Sequence, residues 1–291
     1  MAPDPTGKGQ RMKTAALITH SHPPAATEAV PVAAAAAKAA GWRLVADQNE
    51  LDKHGAEAAG VELEKDGETP DLCLVLGGDG TILHALRRFA GTRVPVFGIN
   101  FGTVGFLAAV ERVHAEEGIL RALDGDVETI ELPAIRVEAG GRSGIGFNDV
   151  TLQRRPHDRV AELSYRVASD EVGHVRCDGL VAATPVGSTG YNLANQGPIL
   201  AWGVKGYVVS YIAPHSLTAR ALVVAPHDVL TVGNAPDREP VEIALDGTEF
   251  GDLASGDDLE ISFVESAGCL GQLAGTSFYG RIRDKFGHLA V

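Results

Sequence analysis

Cysteine is scarce: there are three in 291 residues, Cys73, Cys177 and Cys269, odd in number and scattered. No C-x-x-C pair occurs, so neither a zinc site nor a disulfide framework is expected, and a reducing cytoplasm fits. Aromatic residues make up only 5% of the chain. The tryptophans and tyrosines do not interleave with basic runs, so base stacking along RNA has no support. Positive charge is also short. Lys and Arg number 25 against 38 acidic residues, a net charge of −13. A general binder of nucleic acid or anionic membrane carries the opposite sign. Anionic small molecules stay open, because one pocket can be positive on a negative surface. Nowhere do about 18 apolar residues run together, so no transmembrane helix is expected. The opening stretch MAPDPTGKGQ is polar and has no apolar signal region. Residues 1–12 therefore read as a flexible tail without a targeting signal.

What is present is an ordinary globular composition, 45% hydrophobic and 22% charged. At roughly 150 residues per domain, the length suggests two domains. The first half alternates strand and helix signals. Ala15–Thr19, Trp42–Ala46, Leu72–Leu76 and Val94–Asn100 read as strands, and Ala33–Ala40 and Thr81–Phe89 as helices. That alternation predicts a parallel α/β sheet. From Val127 onward the apolar residues come in short alternating runs, such as Glu162–Val167, Tyr207–Tyr211 and Val241–Leu245. Gly140–Gly141 and Gly256–Asp257 punctuate them, the pattern of an all-β sandwich or layered sheet. The expected division is an α/β domain over 13–126, closed by the C-terminal segment 276–291, and a β-sandwich-like domain over 127–275.

The sharpest local feature is Leu74-Val75-Leu76-Gly77-Gly78-Asp79-Gly80-Thr81. A strand runs into three glycines around one aspartate, and a helix follows. Glycines let main-chain N–H groups approach an anion, and the helix N-terminus favours phosphate. No G-x-x-x-x-G-K-[ST] loop occurs, and the G-x-G-x-x-G pattern from Gly78 fails at Leu83. Asp79 is out of place for phosphate cradling alone. It reads either as a helix N-cap before Thr81 or as a group that binds Mg²⁺ or takes a proton. A second loop, Asp178–Leu193, is dense in Gly, Ser, Thr and Pro, with Tyr191 able to stack on a base. The plainer reading of that loop is a cluster of tight turns. His20 and His22 could touch a polyphosphate, though loop histidines after a strand explain them as well. No third ligand accompanies them, so no metal site in the chain is expected.

Residues 77–81 resemble the Gly-Gly-Asp-Gly-Thr signature shared by NAD kinases, diacylglycerol and sphingosine kinases and 6-phosphofructokinases. The run 178–193 resembles the second signature of the NAD kinase family in particular. Further resemblances follow in that family's order: Gly98–Leu107, Phe147-Asn148-Asp149-Val150, Ala213–Leu217 and Leu245-Asp246-Gly247. The resemblance implies an α/β N-terminal domain plus an all-β C-terminal domain. It also implies a homodimer or homotetramer, and Mg²⁺-dependent phosphoryl transfer from ATP or polyphosphate to the 2′-hydroxyl of NAD. On it, Asp79 is the general base, and Gly77, Gly78, Gly80 and Thr81 hold phosphates. Gly80, Asn148, Asp149, Arg159, Arg176, Asp178, Thr189, Gly190, Tyr191, Asn192 and Ala194 join Asp79 in binding the NAD. Two departures stand out. The family commonly has Ala at position 190, and Ser-Ala-Gly-Gly-Pro where 194–198 read Ala-Asn-Gln-Gly-Pro. A lipid kinase sharing the first loop, or a dinucleotide sensor that has lost turnover, are the alternatives.

Overall fold

The computed structural model describes residues 11–102 and 105–287. Most of the predicted tail, Thr103 and Val104 of the 98–107 stretch, and the last four residues of the predicted closing segment lie outside the described residues. Contacts divide the chain into two units.

The first unit holds the chain up to Ala85, Val94–Thr129 and Leu270–Thr276. In order it carries β1 (Thr14–Thr19), α1 (Ala29–Ala39), β2 (Arg43–Ala46), α2 (Gln48–His54), β3 (Glu62–Leu63) and β4 (Leu72–Gly77). Then come α3 (Asp79–Arg88), which begins in this unit, β5 (Pro95–Asn100), β6 (Val110–Glu111) and α4 (Ala115–Asp124). β1 and β4 are buried along their whole length, which is why 15–18 and 72–76 are continuous apolar runs rather than alternating ones. The strands lie in the order β5-β4-β1-β2-β3, with β6 beside β5, and every one of these pairs is parallel. From β1 the chain moves outward to β2 and β3, then returns to β4 on the other flank of β1. That reversal opens a crevice at the carboxyl ends of β1 and β4, where open α/β sheets receive ligands. Alanine-rich α1 buries Ala33 and Ala37 against this sheet. Alanine combines high helix propensity with a small side chain, so helix and sheet approach closely.

The second unit holds Leu86–Arg93, Ile130–Cys269 and the chain from Ser277. Its elements are β7 (Glu128–Ala139, from Ile130 onward), β8 (Arg142–Gly146), β9 (Asp149–Arg154), β10 (Ala161–Val167), β11 (Asp170–Cys177) and β12 (Gly179–Ala183). α5 (Tyr191–Ala194), β13 (Tyr207–Ile212), β14 (Leu222–Val224), β15 (Leu230–Asn234), β16 (Val241–Leu245), β17 (Thr248–Leu253), β18 (Asp258–Gln272, as far as Cys269) and α6 (Phe278–Phe286) follow. One antiparallel sheet has the order β14-β13-β12-β9-β16-β17. Facing it, β11-β10-β15-β18 is joined by β7 and β8. Leu180, Tyr207, Val209 and Ile243 of one sheet share a core with Leu163, Val175, Val232 and Ile261 of the other. Alternation puts Tyr207, Val209 and Tyr211 of β13 into that core, while Val208 packs on the other face with Val181, Ala183 and Leu200. Each such aliphatic burial contributes about 1.5–3 kcal/mol.

The units differ from the expected division in three places. Residues 86–93 belong with the β unit, because Arg87 bonds Asp246 and Gly91 N donates to Ala267 O at 2.8 Å. Leu270–Thr276 belongs with the α/β unit, where Gln272 Nε2 donates to Leu107 O at 2.9 Å. The segment expected to close the α/β domain over 276–291 clusters from Ser277 onward with the β unit instead. The reason is aromatic: Phe278 lies 5.7 Å from the Trp202 ring, and Ile282 is buried.

Candidate active site

In the first unit, β4 ends at Gly77 and α3 starts at Asp79, so the single residue Gly78 joins strand to helix. A Cβ at Gly77 would overlap the Thr81 side chain, and one at Gly102 would press on Gly78 Cα at 3.1 Å. Gly77 thus leaves room for the Thr81 side chain, and Gly102 lets two backbone segments approach closely. The Asp79 carboxylate accepts from Phe106 N at 2.6 Å and Leu107 N at 3.0 Å. Any side chain at Gly105 would collide with Asp79 Oδ1. Asn100 steadies the intervening stretch: its Oδ1 accepts from Gly102 N at 3.1 Å and its Nδ2 donates to Glu111 at 2.8 Å. Two motifs read separately in the sequence are thus one device, in which 98–107 anchors the aspartate of 77–81. Each carboxylate oxygen of Asp79 keeps a further lone pair able to accept a hydrogen bond.

The second unit has its own hub at Asp246, whose side chain is wholly buried. It accepts from Phe147 N at 3.0 Å, Asn148 N at 2.6 Å, Asp149 N at 3.2 Å and Arg87 Nη1 at 2.7 Å. Its own φ of +47° lies in the left-handed region, and Gly247 follows, so the turn between β16 and β17 is what aims this carboxylate. Thr184 closes the other side. It donates to Phe147 O at 2.6 Å, and its own N–H bonds Asn148 O at 2.9 Å. A Cβ at Gly187 would overlap the Asn148 carbonyl. Asn148 is therefore clamped from both sides, yet its Oδ1 is buried with no hydrogen-bond partner. A buried unpaired acceptor is costly in a finished fold and is satisfied at little expense by a ligand donor. Beside it, Asp149 is 7% exposed. Burial, and then the negative charge of Asp246, push its carboxyl up to about 7.

The rest of the second unit's candidates divide. Asp178 is half-buried and held by Arg154 Nε at 2.6 Å. Thr189 bonds Val186 O at 3.2 Å, and Tyr191 is exposed at the start of α5. Asn192 is fully buried, and its amide holds Ser188 O at 2.9 Å and Pro198 O at 3.0 Å. It shapes the loop from inside. Gly190 accepts from Leu193 and Ala194 main-chain N–H groups at the start of α5. Ala194 and the departing residues Asn195 and Gln196 line a cavity of about 510 Å³ with Ser210 and Pro214. Arg159 is exposed and pairs with Glu239 at 2.9 Å. Arg176 is exposed on β11, where its carbonyl holds His215 N at 2.7 Å. His215 thus has a structural backbone bond. Two contributors have no role in the sequence reading. Asp246 enters it only within the Leu245-Asp246-Gly247 resemblance, and Arg87 is not singled out.

A parallel sheet with a glycine loop at its carboxyl edge, an anchored aspartate in that loop and a two-sheet β unit define a class of phosphate-handling enzymes. Comparison with known proteins narrows the class. The model of the ATP-NAD kinase N-terminal domain matches residues 29–127, and that of the ATP-NAD kinase C-terminal domain matches 147–267. The NAD kinase of Nitratidesulfovibrio vulgaris is 36% identical over 230 residues, covering 77% of this chain and 81% of its own. That of Paraburkholderia phytofirmans is 31% identical over 281 residues, 94% of this chain and 93% of its own. A yeast NADH kinase solved with NADH shares the fold at a TM-score of 0.85 and 19% identity, over 97% of this chain and 90% of its own. The chain belongs to the NAD kinase family and is an enzyme of that family. Among the described residues no helix is long and apolar enough to cross a membrane.

Proposed function

We propose that the protein transfers the terminal phosphoryl group of ATP, or of polyphosphate, to the 2′-hydroxyl of the adenosine ribose of NAD. The O–H bond of the ribose and the terminal P–O bond of the donor break. A new O–P bond forms, giving NADP and the shortened donor, and the proton passes to the Asp79 carboxylate. Such transition states are loose and highly charged, so catalysis is mostly positioning and charge neutralisation. The observation that carries this reading is the anchoring of Asp79 inside the glycine loop by the Phe106 and Leu107 amides. A helix N-cap would bond its own first turn; this carboxylate is held by another segment and keeps lone pairs free.

Main-chain groups of Gly77, Gly78, Gly80 and Thr81 hold phosphate oxygens in this reading. The open acceptor of Asn148 and the neighbouring Asp149 receive donors of the NAD, while Asp178 and Tyr191 contact its rings. The described residues contain no cluster of three His, Cys, Asp or Glu suited to a metal ion. In this reading Mg²⁺ would arrive on the donor phosphates and neutralise their charge. The family resemblance supports a homodimer or homotetramer, and the few scattered cysteines fit a reducing cytoplasm. The test is Asp79→Asn. Loss of a general base lowers turnover by about 10²–10⁴-fold, while NAD affinity stays close to wild type and the melting temperature falls, because Asn keeps only one of the two acceptors for the Phe106 and Leu107 amides. NADP formation, read with an NADP-specific dehydrogenase, checks it, and near wild-type turnover in the variant would overturn the assignment.

A further inference from the structure

Thr19, the last residue of β1, opens a buried polar cluster. Its hydroxyl donates to Glu50 Oε2 at 2.6 Å and lies 2.7 Å from His54 Nε2. His54 Nδ1 lies 3.0 Å from the Thr27 hydroxyl. Glu50 Oε1 accepts from Lys53 Nζ at 2.6 Å. Thr19, Glu50 and His54 are 2%, 8% and 5% exposed. Burying a carboxylate is costly unless it is paired and fully hydrogen-bonded, and here both conditions are met. Asp47 caps α2 through Glu50 N at 2.9 Å, fixing the helix that carries Glu50, Lys53 and His54. The result is one ammonium held in one place.

That place is the wall of a cavity of about 380 Å³. Gly78, Gly80 and Thr81 at the start of α3, with His20 and His84, form other walls. The cavity lies at the carboxyl ends of β1 and β4, the point where the strand order reverses. Open α/β sheets bind nucleotides and phosphates there. Besides its short bond to Glu50, Lys53 Nζ makes, among the described residues, two long ones, 3.3 Å to Thr19 Oγ1 and 3.4 Å to Thr19 O. Bonds of that length are weak, so a phosphate oxygen replaces them at little cost. The imidazoles add ring N–H donors. Glu50 does not oppose an anion strongly, because Lys53 balances its charge and both its oxygens already accept.

We infer that this cavity seats the polyphosphate chain of the phosphoryl donor, with Lys53 as its charged ligand and Thr19, Glu50 and His54 as the support that positions Lys53. The inference rests on the NAD kinase reading, which requires a donor but leaves open which side chains hold its phosphates. The lysine lies on α2, outside every motif singled out in the sequence.

The experiment compares wild type with Lys53→Met, Lys53→Arg and His84→Gln. Binding of ATP and of tripolyphosphate is measured by calorimetry without NAD, alongside KM for each substrate of NADP formation. Losing one charge-assisted hydrogen bond weakens binding by about tenfold or more. Lys53→Met is expected to weaken both ligands by that factor and raise the ATP KM to match, with the NAD KM unchanged. Lys53→Arg should recover most of the loss. Exposed His84→Gln should weaken both by a few-fold at an unchanged melting temperature, so the test survives if Lys53→Met fails to fold. A lowered melting temperature with unchanged ATP and tripolyphosphate affinity would make Lys53 a structural partner of Glu50 and overturn the proposal. Weakened ATP with unchanged tripolyphosphate would also overturn it, by assigning the cavity to the nucleoside. If wild type makes no NADP yet binds tripolyphosphate through Lys53, the kinase reading fails and the cavity assignment stands. If it does neither, both fall.

Discussion

Gly105 and Asp79 show how little room this site allows. Asp79 can be oriented by the Phe106 and Leu107 amides only because position 105 has no side chain. Gly105→Ala would press a methyl group on Asp79 Oδ1 and tilt the carboxylate. A misplacement of about 1 Å at a reacting group can cost roughly 10²-fold in rate. The expected outcome is that loss in kcat with the chain still folded, measured by steady-state NADP formation beside a melting curve. Turnover within about twofold of wild type would show that the 105–107 backbone does not position Asp79. Identity at this scale was legible: the glycines and aspartate of 77–81 and the pair at 148–149 all stand out in the sequence. Role was less so. Asn192 sits in a matching motif, yet its buried amide holds two loop carbonyls. Its Oδ1, like that of Asn148, is buried without a partner among the described residues, so the side chain holds the loop and keeps an open acceptor as well.

Between elements, Asp246 is the clearest case. One carboxylate in the β16–β17 turn ties the β8–β9 junction to Arg87 on α3 through four hydrogen bonds. Asp246→Ala would leave three main-chain N–H groups without that acceptor and Arg87 without its partner. Removing one member of a buried charged pair costs about 3–5 kcal/mol. Chemical denaturation should show a loss of this order, with weaker NAD binding as Asn148 and Asp149 lose their anchor. A change below about 0.5 kcal/mol, the range of ordinary surface substitutions, would remove Asp246 from the framework. Elements such as β1, β4, β5 and α3 were legible from apolar runs and glycine punctuation, whereas α2 and α4 were not read from the sequence. Helix α1 starts at Ala29 rather than at the expected Ala33, because Pro31 is compatible with a first helical turn. The pairing of β18 with both β7 and β15 was not legible, since hydrogen bonds between distant strands leave no local signature.

Over the whole molecule, the buried Asp149 makes stability depend on pH. Its carboxyl titrates near 3.8 when unfolded and near 7 when folded. The folded state therefore binds the extra proton between those values, and stability falls as pH rises through that window. The stabilisation is complete below about pH 4 and lost above about pH 7, an effect on the order of 4 kcal/mol. Asp149→Asn should flatten the wild-type slope between pH 4 and 7 in denaturant titrations; an unaltered slope would show that Asp149 titrates in the ordinary carboxylate range. Nothing local in Phe147-Asn148-Asp149-Val150 announces this, because the shift comes from burial and from Asp246, nearly a hundred residues away. The same division holds throughout. Residue order alone determined the two kinds of unit, the glycine loop and the family, because apolar periodicity and close backbone approach are written in neighbouring residues. Tertiary structure decided which residues orient Asp79, which acceptor stays open at Asn148, where Lys53 points and which unit takes α6. Each of those depends on contacts made across long stretches of chain, and such contacts exist only once the core has closed.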